Sequence, residues 1–296
     1  MSESKIGKFY FKHLKKLAII PLILFILALT GLIIQASVTG DFMNKDVSLK
    51  GGISSTVYTN QEIDESELKA HLGVDSNTRV LGDFSTGEQL GIMVEVSDLN
   101  STVLEEKLES FFNMELTQEN YSVEETGPKL GEAFYRQLIL ALIFALILMG
   151  VAVLIAFRTI IPSLAVVFAA ITDIIVTLAI VNLFGMQIST AGIVAFLLVI
   201  GYSIDTNILL TTRVLKKKEL SVNDRIKASA KTGLTMTFTT ILALTAGIIF
   251  VTSPVIKGMF TIVVIALLVD ILTTYFTNAG ILSWYVKKKG WNLKKY

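Results

Sequence analysis

The 296-residue sequence predicts a polytopic α-helical membrane protein that carries a small α+β domain outside the membrane. Three observations support this fold class. Hydrophobic residues make up 52% of the chain, charged residues only 17%, and the mean hydropathy of +0.65 is too high for an ordinary soluble domain. Six apolar runs are each long enough for the roughly 20 helical residues that cross a bilayer. A polar stretch, residues 39–135, separates the first run from the second.

The predicted transmembrane helices follow the apolar runs. Lysines precede the first run, as in a signal peptide, but its apolar core is too long and no convincing cleavage site follows, so we expect a retained helix. The predicted spans are residues 17–38, 137–157, 160–184, 188–212, 233–252 and 258–286.

The distribution of basic residues predicts the orientation of these spans. Lys and Arg cluster before the first span, between the fourth and fifth spans and after the last span. By the positive-inside rule these segments are cytoplasmic. We therefore predict a multi-pass protein of the cell membrane with both termini in the cytoplasm. The predicted parts are a cytoplasmic N-terminus (1–16), the first helix (17–38), an extracytoplasmic domain (39–135), a five-helix membrane domain (136–286) with a cytoplasmic loop (213–232), and a cytoplasmic tail (287–296).

The extracytoplasmic segment is acidic, with nineteen Asp or Glu against six Lys or Arg. Its hydrophobic patterns alternate between strand and helix, and Ser101 is the predicted N-cap of the second helix. The resulting βαββαβ order is typical of a ferredoxin-like sandwich. Gly51 and Gly52 interrupt the first predicted strand. The predicted strands are 47–58, 78–84, 90–96 and 119–125, and the predicted helices are 62–72 and 101–113.

Residue types that carry most enzymatic chemistry are scarce. The chain has no Cys, its two His are His13 and His71, and it contains no phosphate-binding loop motif. These features predict no enzymatic activity, no catalytic residues, no cofactor and no metal site. The net charge of +1 gives no reason to expect a nucleic-acid partner.

Three carboxylates lie within the predicted spans, namely Asp173, Asp205 and Asp270, and these spans contain no Lys, Arg or His. An ionised acid at lipid depth costs several kcal/mol unless it faces water, finds a partner or carries a proton. The functional interpretation is an ion or proton relay. The alternative is that these acids only hydrogen-bond to neighbouring hydroxyl groups or lie at the membrane interface.

Asp205 is the strongest relay candidate by its surroundings in the sequence. Gly201 lies one helical turn earlier and would open space on the same face, although it would also serve simple packing. Thr206 and Asn207 add polar groups, so the fourth span is expected to face protein or water. Threonine-rich stripes in the third, fifth and sixth spans suggest that the inner ends of spans three to six enclose one polar seam.

Several motifs, in this order and spacing, resemble those of SecF, a protein-export membrane protein family of the RND superfamily. They are LKGG (49–52), GPKLG (127–131), GYSIDTNILLTTRV (201–214) and KTGLTMTFTT (231–240), and the last, with the short extracytoplasmic domain, is similar to the archaeal type. The resemblance covers essentially the whole chain. It implies a complex with SecD that assists the SecY-type translocation channel, uses a transmembrane ion gradient and handles unfolded secretory polypeptide.

The resemblance also implies roles for individual residues. Asp205 and Asn207 align with an Asp and an Asn of the SecD motif, where the Asp is implicated in proton conduction, and Arg213 matches the Arg that ends the motif. Bacterial SecF has its Asp at the position of Thr206. Asp173 occupies the position of the Asp in a bacterial His-Asp pair whose His is absent here, and no family role is assigned to Asp270.

The connector 126–136 contains Gly127, Pro128 and Gly131, which suit either a hinge that lets the extracytoplasmic domain move or a plain linker. Basic segments are expected to contact membrane lipids or the channel. Two other functions remain open at this point. One is half of an RND-type exporter of small molecules or lipids, and the other is an assembly factor that holds the translocase together without conducting ions.

Overall fold

The computed structural model describes residues 5–82, 89–216, 220–251 and 253–289, and it begins with two consecutive helices. Helix α1 (Lys5–Leu17) is amphipathic, and α2 (Ile19–Thr39) is the first of six helices long and apolar enough to cross a membrane. The two helices meet at Ala18. Leu14 of α1 is buried against the last span, so α1 lies against the protein rather than extending away from it.

A small four-stranded sheet domain follows α2. The strand order is β2-β3-β1-β4 with every neighbouring pair antiparallel. Helices α4 and α5 cover one face of the sheet, where Val57, Ile92 and Val94 pack with Leu68 and Leu104. The βαββαβ order predicted from the sequence is confirmed. The elements are α3 (Val47–Lys50), β1 (Gly52–Tyr58), α4 (Glu65–Leu72), β2 (Ser76–Gly82), β3 (Gln89–Val96), α5 (Ser101–Phe112) and β4 (Tyr121–Thr126).

Two local predictions in this domain are wrong. Residues 47–50 form a helical turn instead of the start of a strand, because the Asp46 carboxylate accepts hydrogen bonds from the Ser48 amide at 2.9 Å and from its hydroxyl at 2.6 Å. Ser101 is the first residue of α5 rather than its N-cap, which is Asn100 without a capping side-chain bond. The end of the strand predicted at 78–84 lies partly outside the described residues.

The remaining five spans form a bundle, and the prediction of six spans is confirmed. Their apolar core joins α6, α7, α8 and α10, whereas α6 and α9 leave many large apolar side chains exposed on the outside, as lipid-facing helices do. The helices are α6 (Pro128–Phe157), α7 (Ile160–Leu183), α8 (Thr190–Lys216), α9 (Val222–Phe250) and a last span built from α10 (Pro254–Leu272), a π-helical segment (Thr273–Asn278) and α11 (Ala279–Lys288).

The helices extend beyond the apolar runs that predicted them. Pro128 takes the first position of α6, where its missing N–H costs nothing, so most of the predicted connector 126–136 is helical. Helix α8 continues to Lys216, and Ser221 caps α9 by accepting the Asp224 amide at 3.1 Å. Most of the predicted loop 213–232 is therefore helical, and residues 217–219 lie outside the described part.

The sheet domain is bonded to the α7–α8 connection. Lys45 and Ile188 form a parallel bridge, the Asn182 amide donates to the Phe42 carbonyl at 2.9 Å, and the Thr190 amide donates to the Ser48 hydroxyl at 3.0 Å. This end of the bundle is called the sheet end here, and the opposite end is the far end. A displacement of the sheet domain at this contact would pull directly on the first residue of α8.

Candidate functional site

Two buried carboxyl groups meet inside the bundle. Asp173 of α7 is fully buried and Asp270 of α10 is 1% exposed. Their hydrogen-bond partners are connected, because the Asn207 amide lies 3.4 Å from an Asp270 oxygen and 3.2 Å from the hydroxyl of Ser203, which donates to Asp173. This pair, together with the polar side chains that bond to it, is the acid cluster.

Two hydroxyl groups hold Asp173 from different helices. Ser203 of α8 donates to one carboxylate oxygen at 2.6 Å, and Thr273 of the π segment donates to the other at 2.6 Å. Both carboxylate oxygens of Asp173 are thus satisfied by hydroxyl donors.

Asp270 is held in a similar way. The hydroxyl groups of Thr206 and Thr274 donate to its two oxygens at 2.9 and 3.0 Å, and the Asn207 amide approaches at 3.4 Å. The Asn207 oxygen in turn accepts the Asn278 amide at 2.6 Å. The cluster therefore links α7, α8 and the last span, as the expected polar seam does.

The π segment explains how one span serves both acids. Its wider turn begins just after Asp270 and carries three cluster members, Thr273, Thr274 and Asn278. Such π turns are rare and are frequently found at functional sites. Consecutive hydroxyl groups at 273 and 274 reach two different carboxyl groups, so a change of helical register here would disturb both acids at once.

The electrostatics of the pair are unfavourable without a bound cation. Within the described ranges neither acid has a salt-bridge partner, and two ionised carboxylates buried in one cluster at low dielectric repel each other strongly. Hydrogen bonds from neutral hydroxyl groups offset only part of this repulsion. The pair is therefore chemically suited to hold a proton or another monovalent cation between its oxygens.

Asp205 lies outside this cluster. Side chains of α8 at positions 203, 206 and 207 are buried in the cluster, whereas Asp205 and Gly201 are on the exposed side of the same helix. No described atom lies within 4 Å of the position where a Cβ of Gly201 would be, so the space that Gly201 opens is not filled by a described helix.

The fifth span contributes less to the seam than the sequence suggested. Thr235, Thr239 and Thr240 donate to carbonyl groups of their own helix, and only Thr237 of that stripe is buried. Arg213 at the far end of α8 donates to the Ala228 carbonyl at 2.6 Å and to the Thr232 hydroxyl at 3.1 Å, so it ties α8 to α9.

The two glycine motifs pack against each other. A Cβ atom at Gly51, whose φ is +87°, would lie 2.5 Å from the Pro128 Cα, and one at Gly131 would lie 2.9 Å from the Gly51 amide nitrogen. Gly52 likewise lies against the Val96 carbonyl. The segment predicted as a hinge is in this structure a tightly packed junction, with Gly127 at the turn from β4 into α6.

The uncovered face of the sheet meets the sheet end of the bundle around Asp46. This acid is 8% exposed and lines a small polar pocket with Arg79, Glu95, Gln187 and Ser189. Burial raises the pKa of Asp46 from 3.8 to about 6, the Ser48 hydrogen bond lowers it, and Glu95 raises it further. In the part of the chain that the structure describes, no group of three or more His, Cys, Asp or Glu is arranged to hold a metal.

Sequence reasoning named Thr206, Asn207, Asp173 and Asp270 individually but did not pair the two acids, and it passed over Ser203. The spacing of positions 203, 206 and 207 is the signal that would have found it, because residues three and four apart share a helix face.

Comparison with known proteins identifies the class. The sequence model for protein export membrane proteins SecD/SecF, C-terminal part, matches residues 106–288. The chain belongs to the SecD/SecF family of protein-export membrane proteins, and the resemblance found in its motifs is confirmed.

Archaeal SecF proteins are among the relatives that cover most of the chain. SecF of Pyrococcus furiosus is 36% identical over 93% of this chain and 92% of its own length. SecF of Methanocaldococcus jannaschii is 34% identical over 82% of this chain and 87% of its own length.

Two solved structures share the fold. SecDF of Thermus thermophilus, a translocon-associated membrane protein, matches with a TM-score of 0.76 and 21% identity, over 93% of this chain and 38% of its own. SecDF in a super-membrane-facing form matches with a TM-score of 0.61 and 18% identity, over 95% of this chain and 39% of its own. This chain therefore spans less than half of either SecDF chain.

Proposed function

We propose that this chain is the SecF-type subunit of a complex with a SecD-like partner, which assists polypeptide translocation through a SecY-type channel by using the transmembrane proton gradient. The names of the archaeal relatives and the SecDF structures support the export role and the partner. The acid cluster supports the use of the gradient. Both termini would be cytoplasmic, and the sheet domain would face outward and contact the unfolded secretory polypeptide.

The observation that carries the proposal is the pairing of Asp173 with Asp270 in full burial. One proton shared by the pair removes the repulsion between the two carboxylates, and loss of that proton restores it. Each charge that crosses the membrane contributes roughly 2.3 kcal/mol per 100 mV, which is enough to bias two packing arrangements of α7, α8 and the last span.

The sheet domain is positioned to respond to such a change. Helix α8 carries Ser203 of the acid cluster, and its first residue, Thr190, is bonded to Ser48 beside the sheet. A shift of α8 against α7 would therefore be transmitted to the domain through one continuous helix.

A second candidate function is an assembly factor in which the cluster only holds helices together. The specific observation in its favour is that all four carboxylate oxygens of the pair already accept hydrogen bonds. In that case the charge itself would be dispensable.

Export in cells carrying Asp270→Asn or Asp173→Asn separates the two functions. The amide keeps the size of the side chain and one acceptor oxygen, and its NH2 group can donate to a neighbouring hydroxyl oxygen. It cannot take up and release a proton, so the relay predicts loss of gradient-dependent export with an intact complex. Asp98→Asn, at an exposed position of the sheet domain, is the matched control. Normal export by both cluster variants would eliminate the relay and leave the assembly role.

A further inference from the structure

We infer that a file of bound water runs from the acid cluster to the far end of the bundle, between α8, α9 and the last span. Its use as the inner half of a proton path rests on the proposed function. The presence of the water does not, because it follows from unpaired polar atoms.

Four buried side-chain oxygens on α8, α9 and the last span, one of them in the cluster itself, lack a hydrogen-bond partner among the described residues. Their residues are fully buried or, for Tyr275, 5% exposed. Burying such a group without a partner is destabilising, and native proteins usually satisfy it with ordered water. The atoms are Asn278 Oδ1, Tyr275 Oη, Thr211 Oγ1 and Ser229 Oγ.

Helical spacing places these atoms along one direction. Thr211 follows the cluster residue Asn207 by one turn of α8, and Ser229 precedes Gly233 by one turn of α9. A Cβ atom at Gly233 would overlap the Tyr275 hydroxyl, so this hydroxyl lies directly against the α9 backbone. Gly233 therefore leaves the room that the Tyr275 hydroxyl occupies, and this hydroxyl brings the last span up to α9.

Both ends of the file are defined by hydrogen bonds. At the end next to the acid cluster, the Asn278 amide donates to Asn207, which in turn reaches Asp270. At the far end the Arg213 guanidinium bonds to Ala228 and Thr232, the residues next to Ser229 and Gly233. Arg213 and Thr232 are only partly buried, so the file opens to solvent beside them.

The opposite direction is closed by apolar side chains. Between Ser189 and Ser203 the buried residues of α8 are all apolar, and the same is true of α10 before Asp270. Thr177, one turn from Asp173, is the exception with an unpaired hydroxyl. In this conformation the acid cluster therefore has a wet route to the far end and a dry barrier toward the sheet.

Hydroxyl-radical footprinting of the full chain in lipid nanodiscs tests the inference. X-ray pulses generate radicals from bound water, and mass spectrometry reads the oxidation of each side chain. Tyr275 and Met149 are equally buried, at 5% exposure, but Met149 lies in the apolar core. We expect Tyr275 to be oxidised several-fold faster, although methionine is intrinsically the more reactive residue. Equal or slower oxidation of Tyr275 would overturn the water file.

A second variant tests the route. Gly233→Ala should displace the Tyr275 hydroxyl and lower its oxidation several-fold, with Met149 unchanged. Unchanged oxidation of Tyr275 in a folded variant would place the water elsewhere and overturn the proposed route. If the variant does not fold, the measurement on the native chain still decides. If Tyr275 of the native chain is readily oxidised but export does not depend on the proton gradient, the water file stands and only the proposed function is contradicted.

Discussion

The hydroxyl group of Thr273 donates to a carboxylate oxygen of Asp173 at 2.6 Å, across 100 positions of sequence. Its neighbour Thr274 donates to Asp270 of its own span at 3.0 Å. The first bond joins α7 to the last span where that span widens into a π turn, and the second ties the same turn to Asp270. The acid pair and the helical irregularity therefore form one structural unit, and a change in either is expected to change the other.

The donors to Asp173 should contribute measurably to stability. Ser203→Ala and Thr273→Val each leave a buried carboxylate oxygen without its hydroxyl donor, and we expect the free energy of unfolding to fall by about 1–3 kcal/mol. Unfolding in detergent, followed by circular dichroism, measures the loss. Ser37→Ala is the control, because the exposed Ser37 hydroxyl bonds only to its own helix and its loss should cost less than about 0.5 kcal/mol. An equal effect at all three positions would contradict this assignment.

The packed junction between the two glycine motifs should tolerate no side chain. Gly131→Ala places a methyl group about 3.0 Å from the Leu49 carbonyl group and the Gly51 amide, all of them backbone atoms that cannot move aside. We expect the free energy of unfolding to fall by about 1–3 kcal/mol, as in overpacked cores, and trypsin to cleave the sheet domain faster.

Gly127→Ala is the control within the same motif. No described atom lies within 4 Å of a Cβ at that position, and its φ of −65° suits any residue. If both variants resist trypsin like the native chain, the segment is a loose hinge rather than a junction.

Burial of the Asp46 carboxyl group should make the protein more stable at mildly acidic pH than at neutral pH. Its pKa in the folded protein, about 6, lies above its ordinary value of 3.8, so the folded state binds the proton more tightly. The resulting stabilisation is fully present below about pH 4 and is lost as pH rises through 6, at most about 3 kcal/mol. The unfolding midpoint of the full chain is measured between pH 4 and about pH 6.5. Its decrease with rising pH should be smaller in Asp46→Asn, which keeps a capping oxygen for the Ser48 amide. An unchanged slope would contradict the assignment.

Much of the fold could be predicted from apolar periodicity and charge, because a bilayer requires long apolar helices and a small sheet requires alternation. The exact start of α6 at Pro128 and the helical turn at 47–50 depend on capping, which composition does not reveal. Position 206 was within reach of the sequence, because Thr206 is one of the polar residues beside Asp205. Its hydroxyl bonds to Asp270, so this position of α8 faces the acid cluster although the acid is supplied by another span.

The sequence could not assign Asp205 to its side of α8. Its neighbours Thr206 and Asn207 are polar, and only packing decides which of three adjacent polar residues turns inward. The π segment was equally hidden, because Thr273 to Asn278 have no residue type that marks a widened turn. Both features depend on helix rotation, which is set by the surrounding helices.

The exposed position of Asp205 predicts a contact with another subunit. A carboxylate on the outer face of a span costs several kcal/mol against lipid, and the exposed stripe around it, with Leu198 and Tyr202, is otherwise apolar or aromatic. A partner helix that supplies a hydrogen-bond donor would remove this cost. Asp205→Leu should therefore leave the free energy of unfolding of the chain alone unchanged or higher, but reduce recovery of the SecD-like partner on affinity purification several-fold. Phe144→Leu, on the exposed face of α6, is the control and should retain the partner. Full recovery with Asp205→Leu would show that this face meets lipid or water instead, and the acid would then need a different explanation from partner binding.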